Sequence, residues 1–116
     1  MEQIERTVKA LADGKRLRIA AMLEGKPLCV CEITVVLGIR QPSVSRHLLK
    51  LKRAGIIGER PAGLFSEYRL TAVFRRSPLW GAIRQDLLAA PAVRKDVKIL
   101  RSVDRQFLAG CGREKP

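Results

Sequence analysis

The chain has 116 residues, 47% apolar and 29% charged, enough for one hydrophobic core and short of the usual two-domain range. No apolar run approaches the roughly 18 residues that a membrane span needs, and the opening Met1-Glu2-Gln3-Ile4-Glu5-Arg6 is acidic where an export signal is basic. Lys and Arg number 23 against 11 Asp and Glu, a net charge of +12, which favours a polyanionic partner, nucleic acid ahead of a membrane surface.

The three cysteines, Cys29, Cys31 and Cys111, are an odd number ill suited to a disulfide framework. In a chain without an export signal, and so in the reducing cytoplasm, they suit thiolate chemistry.

In chain order, Ile4, Val8 and Leu11 fall at i, i+4, i+7 and predict an amphipathic helix ending near Asp13-Gly14. Asp13 is a natural N-cap for a second helix that runs through Leu17, Ala20 and Ala21 to Leu23, stopped by Gly25 and Pro27. The segment Leu28–Leu37 is rich in β-branched residues, yet Ile33, Val36 and Leu37 share a helical face and Gly38 supplies a stop, so a third helix is expected throughout it.

Gly38-Ile39-Arg40-Gln41 has the length of a helix-turn-helix connection, and Pro42 suits the first helical position of a fourth helix reaching about Arg53. Residues 56–60 and 65–70 are expected to be two short strands joined at Pro61-Ala62-Gly63-Leu64, a β-hairpin wing. Ser77-Pro78 begins a fifth helix with Leu79, Trp80, Ile83 and Leu87 on its apolar face, and Pro91 breaks or kinks it. Beyond it, Val93, Val97, Leu100, Asp104 and Phe107 lie near heptad spacing. The expected organisation is one domain over residues 1–108 and a flexible tail over 109–116, mainly α with a small β-hairpin.

On the fourth helix, Val44, Leu48 and Leu51 cluster on one side, with Ser43, Arg46, His47, Lys50 and Ala54 roughly opposite. The second face can donate to base edges and phosphates in a major groove, so Gln41, Ser43, Ser45, Arg46, His47 and Lys50 are candidate DNA contacts. Arg60 and Arg69 of the wing are placed to meet phosphates or a minor groove; for Arg69, simple closure of the sheet is an equal reading. One histidine, no glycine-rich phosphate loop and no acid pair matched to a nucleophile argue against an enzyme.

Cys29 and Cys31 are two residues apart, so on a continuous helix their side chains point about 200° apart. They can converge on one ion only where the chain leaves helical geometry, as it can just past Pro27. A helix start also raises the thiolate fraction, and soft thiolates select soft ions.

Leu28-Cys29-Val30-Cys31-Glu32-Ile33, Gln41-Pro42-Ser43-Val44-Ser45-Arg46-His47-Leu48, Tyr68-Arg69-Leu70 and the Leu11–Ile19 segment together resemble the ArsR/SmtB family of metal-responsive repressors, most of all its arsenic-responsive members. The resemblance spans about residues 4 to 108. It implies a homodimeric winged helix-turn-helix repressor that holds double-stranded operator DNA and releases it on binding arsenite or antimonite. It also implies a pairing surface of the first and fifth helices, comprising Ile4, Val8, Leu11, Trp80, Ile83 and Leu87. Related arsenic repressors often have a third cysteine three residues after the second, where this chain has Thr34. The third ligand is then Cys111, from either subunit, a small thiol or water. A redox or persulfide switch at the same cysteines, and a constitutive nucleic-acid-binding protein, are the competing readings.

Overall fold

A computed structural model describes residues 1–103 of the chain. Helices α1 (Glu2–Leu11) and α2 (Gly14–Gly25) are followed by a two-residue strand β1 (Leu28–Cys29), then α3 (Val30–Leu37) and α4 (Gln41–Arg53). Strands β2 (Ile57–Ala62) and β3 (Phe65–Leu70) form the hairpin, and α5 (Ala72–Arg75), α6 (Pro78–Ala89) and α7 (Pro91–Arg101) complete the described chain.

The caps expected from the sequence are in place. The Asp13 carboxylate accepts from the Lys15 and Arg16 backbone N–H groups at 2.9 and 3.1 Å, and Ser77 Oγ accepts from Trp80 N at 3.2 Å. Such caps satisfy N–H groups that a helix start leaves without partners. Gly38 ends α3 at φ +67°, a left-handed conformation that glycine adopts without steric cost. Ala90, at φ −64° and ψ 137°, takes the extended form imposed on a residue before proline, which separates α6 from α7.

Two boundaries differ from the sequence expectation. Leu28 and Cys29 are strand rather than helix, because β3 offers an edge to pair with: Leu28 lies opposite Tyr68 and Cys29 opposite Glu67. The sheet order is therefore β1-β3-β2, all antiparallel. The hairpin ladder also continues through Pro61 and Ala62, opposite Ser66 and Phe65, which leaves a two-residue turn at Gly63-Leu64 with Gly63 at φ +63°. Helix α5, capped by Thr71 Oγ1 on Phe74 N at 3.2 Å, was not expected.

The core gathers Ile19, Met22 and Leu23 of α2 with Leu28, Ile33, Leu48, Leu51, Ile56 and Trp80, all buried, each contributing roughly 1.5–3 kcal/mol for an aliphatic side chain. Two polar clamps hold the C-terminal helices against α2. Arg18 donates Nε and Nη2 to the buried Asp96 carboxylate of α7, both at 2.8 Å, and Glu24 accepts from Trp80 Nε1 at 2.9 Å and Arg84 Nε at 2.8 Å. Among the described residues no helix is long and apolar enough to cross a membrane.

Candidate DNA-binding face and thiol pocket

Helix α4 buries Val44, Leu48 and Leu51 and leaves Ser45, Arg46 and Lys50 exposed, with Gln41, Ser43 and His47 half-buried. Arg46 Nη2 donates to Ser43 Oγ at 3.1 Å, so a hydroxyl and a guanidinium are presented together near the start of the helix. His47 stands apart from this group in its contacts. Arg16 Nη1 of α2 lies 3.2 Å from its Nδ1, and because arginine can only donate, Nδ1 is the acceptor of a neutral ring. Arg16 is itself fixed by Nε donating to the Ala10 carbonyl at 2.6 Å. Burial pushes the His47 pKa down, aided by Arg16, Lys15 and Lys50 and opposed by Asp13. His47 thus ties α4 to α2.

The wing exposes Arg60 and half-buries Arg69. Glu59 of β2, which the sequence did not single out, straps the hairpin to α4: it accepts from Lys52 Nζ at 3.0 Å and from Ser66 Oγ at 2.5 Å. Its pKa is held down by the hydrogen bonds from Ser66 and Lys52. Tyr68, directly opposite Glu59 in the ladder, has its phenol pushed up to about 12 by burial and by the Glu59 charge.

Cys29 and Cys31 are both buried. Cys29 is the N-cap of α3, extended at φ −88° and ψ 164°, so one thiol of the pair lies outside helical geometry. The cap is reciprocal: the buried Glu32 carboxylate accepts from the Cys29 backbone N–H at 2.8 Å, and the Cys29 side chain faces the Glu32 N–H. Both cysteines line one cavity of about 220 Å³, whose other walls include Ser45 of α4 and Glu59, Phe65, Ser66 and Tyr68 of the wing. Cys29 is a reduced thiol, whereas Cys31 is disulfide-bonded in this structure. Thr34 Oγ1 donates to the Val30 carbonyl at 2.7 Å. Among the described residues no group of three or more His, Cys, Asp or Glu side chains could hold a metal ion; the cavity has two cysteine sulfurs, which become thiolate ligands only when Cys31 is reduced. Cys111 lies outside the described residues.

Of the six residues expected to pair subunits, Ile4 and Val8 are 63% and 48% exposed, while Ile83 and Leu87 are half-buried against the core. Leu11 and Trp80, at 5% and 1% exposure, are buried in the chain's own core. Trp80 is held there by its bond to Glu24 and by Phe74, ring centroids 5.1 Å apart. Helical periodicity identifies an apolar stripe without saying which part of it faces inward. The exposed residue missed beside Ile4 and Val8 is Val73 of the unexpected α5, which shares an apolar groove with them, Phe74, Pro78 and Leu79.

Residues 13–58, the segment from the α2 cap to the first wing strand, match the family model described as bacterial regulatory protein, arsR family. The chain is 47% identical over 64 residues to the arsenic resistance transcriptional regulator ArsR1 of Pseudomonas putida, covering 53% of this chain and 49% of that protein. It is 36% identical over 103 residues to the arsenical resistance operon repressor of Escherichia coli, covering 88% of this chain and 86% of the repressor. The homodimeric winged helix-turn-helix domain of Mb0332 from Mycobacterium bovis superposes with a TM-score of 0.66 at 29% identity, over 73% of this chain and 78% of that one. The α3–α4 unit, the wing and the near full-length match to the Escherichia coli repressor agree: the chain belongs to the arsR family of bacterial regulatory proteins and is a DNA-binding winged helix-turn-helix regulator of transcription, not an enzyme.

Proposed function

We propose that this ArsR-family transcriptional repressor binds operator DNA as a homodimer in the cytoplasm and lets go when trivalent arsenic or antimony binds the reduced thiolates of Cys29 and Cys31. The observation that carries this reading is the shared cavity: the two cysteines are walled by Ser45 of the recognition helix and by Glu59, Ser66 and Tyr68 of the wing. A ligand seated there touches both DNA-reading elements. The extended backbone at Cys29 supports convergence of two side chains that a continuous helix would hold apart. Thiolates are the ligand type that soft ions prefer, and the named relatives in Pseudomonas putida and Escherichia coli are arsenic-resistance regulators.

Because Cys29 also caps α3, drawing its sulfur onto an ion competes with the cap and loosens the helix that supports α4. The third coordination position falls to Cys111, a small thiol or water. The homodimeric state of Mb0332 and the exposed Ile4 and Val8 support pairing through α1.

The test is fluorescence anisotropy of the reduced protein on DNA from its own operon's promoter. Arsenite is expected to release the wild type and to leave Cys29→Ser and Cys31→Ser bound. Normal release from either variant overturns the reading. A second reading is a thiol-redox switch at the same residues; the disulfide at Cys31 supports it for that residue alone, Cys29 being a reduced thiol, and release by peroxide with no response to arsenite selects it.

A further inference from the structure

Five cations from three helices converge on one cleft beside the recognition helix. Arg6 and Lys9 of α1, Arg16 of α2, and Lys50 and Arg53 of α4 line a depression of about 520 Å³ together with Ala10. Lys50 belongs to the DNA-reading face of α4, and Arg46, Lys50 and Arg53 fall at i, i+4, i+7 along it, so the cleft continues that face.

The charge in the cleft is poorly compensated. Glu5 lies 3.4 Å from Lys9 in an exposed pair, and Asp13 lies 3.9 Å from Arg16 Nη1. Among the described residues no carboxylate is within ion-pair range of Arg6, Lys50 or Arg53. Arg16, with its side chain only 11% exposed, is locked by Ala10 and His47 and holds a fixed positive charge at the junction of the three helices. Gathering like charges is unfavourable for the isolated protein and is offset when a polyanion is bound.

We propose that this cleft is a second phosphate-binding patch that grips the backbone of duplex DNA next to the segment read by α4. The run from Arg46 to Arg53 covers about 10 Å of helix. Duplex DNA carries a phosphate about every 3.4 Å of axis on each strand, so the patch extends the protein's hold by two to three phosphates, roughly, on one strand. Such contacts add affinity and fix orientation without reading sequence. The inference rests on the family's DNA-binding activity and is independent of the effector.

The test uses the full chain with Arg6→Gln and Lys9→Gln combined, both exposed positions on α1. Binding to a random-sequence duplex and to the promoter fragment is followed by anisotropy across a salt series. The slope of log K against log salt is expected to fall in magnitude by about 2, at about 0.9 per lost phosphate contact. Both DNAs are expected to lose affinity by the same factor, and the charge-conserving Arg6→Lys with Lys9→Arg variant to keep the wild-type slope. An unchanged slope in a variant with an unchanged thermal melt overturns the proposal. So does a loss confined to the promoter fragment, or conversion of the variant to a monomer in sedimentation. Arsenite release is measured separately and is expected to persist in the variant, so failure of the effector reading and failure of the patch give different results.

Discussion

Cys29 stands opposite Glu67 across the antiparallel pairing of β1 with β3, while the same residue caps α3. One backbone position is thus shared by the root of the wing and the start of the helix-turn-helix. A sulfur pulled from this position acts on both elements at once, which a ligand on the interior of a helix could not do.

The coupling can be followed by amide hydrogen exchange. On adding arsenite to the reduced protein without DNA, exchange is expected to quicken at residues 28–32 and also at 66–70 of β3, and Cys29→Ser should suppress both changes. Faster exchange in α3 with an unaltered wing strand would show that the signal does not travel through β1.

Glu59 provides a second handle on the wing. Glu59→Gln removes the charge that accepts from Lys52 and Ser66; since that pair is substantially exposed, the stability cost is expected to be below about 1 kcal/mol. DNA affinity should fall more visibly, because the strap fixes the hairpin relative to α4. The Glu59 carboxyl is held below its ordinary 4.5 by Ser66 and Lys52. Its contribution is therefore present above about pH 4.5 and disappears as pH falls through the lower folded value. Denaturation curves of wild type and variant should differ at neutral pH and converge in acid; a constant difference down to low pH would rule out the carboxylate as the source.

The helices of the DNA-reading unit were legible because their signals are local: Asp13 and Ser77 as caps, Pro42 near a helix start, Gly38 as a stop, and apolar periodicity in α4. What the sequence concealed depends on distant partners. Leu28-Cys29 becomes strand only because β3, about 40 residues on, presents an edge. Leu11 and Trp80 lie on apolar stripes that could face a partner subunit, and only packing shows that they face inward. The strap at Glu59 and the bond between Arg16 and His47 join residues on different elements, and no spacing rule encodes such pairs. The cysteine pair was legible as a candidate; its shared cavity with Ser45 and the wing was not.

Arg18 and Asp96 make the fold's buried bidentate pair, linking α2 to α7. Asp96→Asn leaves the guanidinium without its counter-charge, a change that costs about 3–5 kcal/mol for a fully buried pair. The Arg18 side chain is 28% exposed, so the lower end, about 3 kcal/mol, is expected in urea denaturation. Replacing both partners by apolar residues, Arg18→Met with Asp96→Leu, should recover most of the loss. A cost below about 1 kcal/mol for Asp96→Asn, the range of exposed pairs, would mean that the pair does not hold α7 in place.

His47 makes the junction between α2 and α4 sensitive to acid. Its ring is neutral when Nδ1 accepts from Arg16, and burial, with Arg16, Lys15 and Lys50, holds its pKa below the ordinary 6.5 against the opposing pull of Asp13. Because the folded value lies below the unfolded one, the neutral ring's contribution is complete above about pH 6.5 and is lost as pH falls through the folded value. Protonation would set an imidazolium against the Arg16 guanidinium and break the bond between the helices. The melting temperature of the wild type is therefore expected to decline on acidification from pH 7 more steeply than that of His47→Gln, whose amide oxygen can accept from Arg16 at any pH. Parallel declines for the two proteins would place the acid-sensitive group elsewhere.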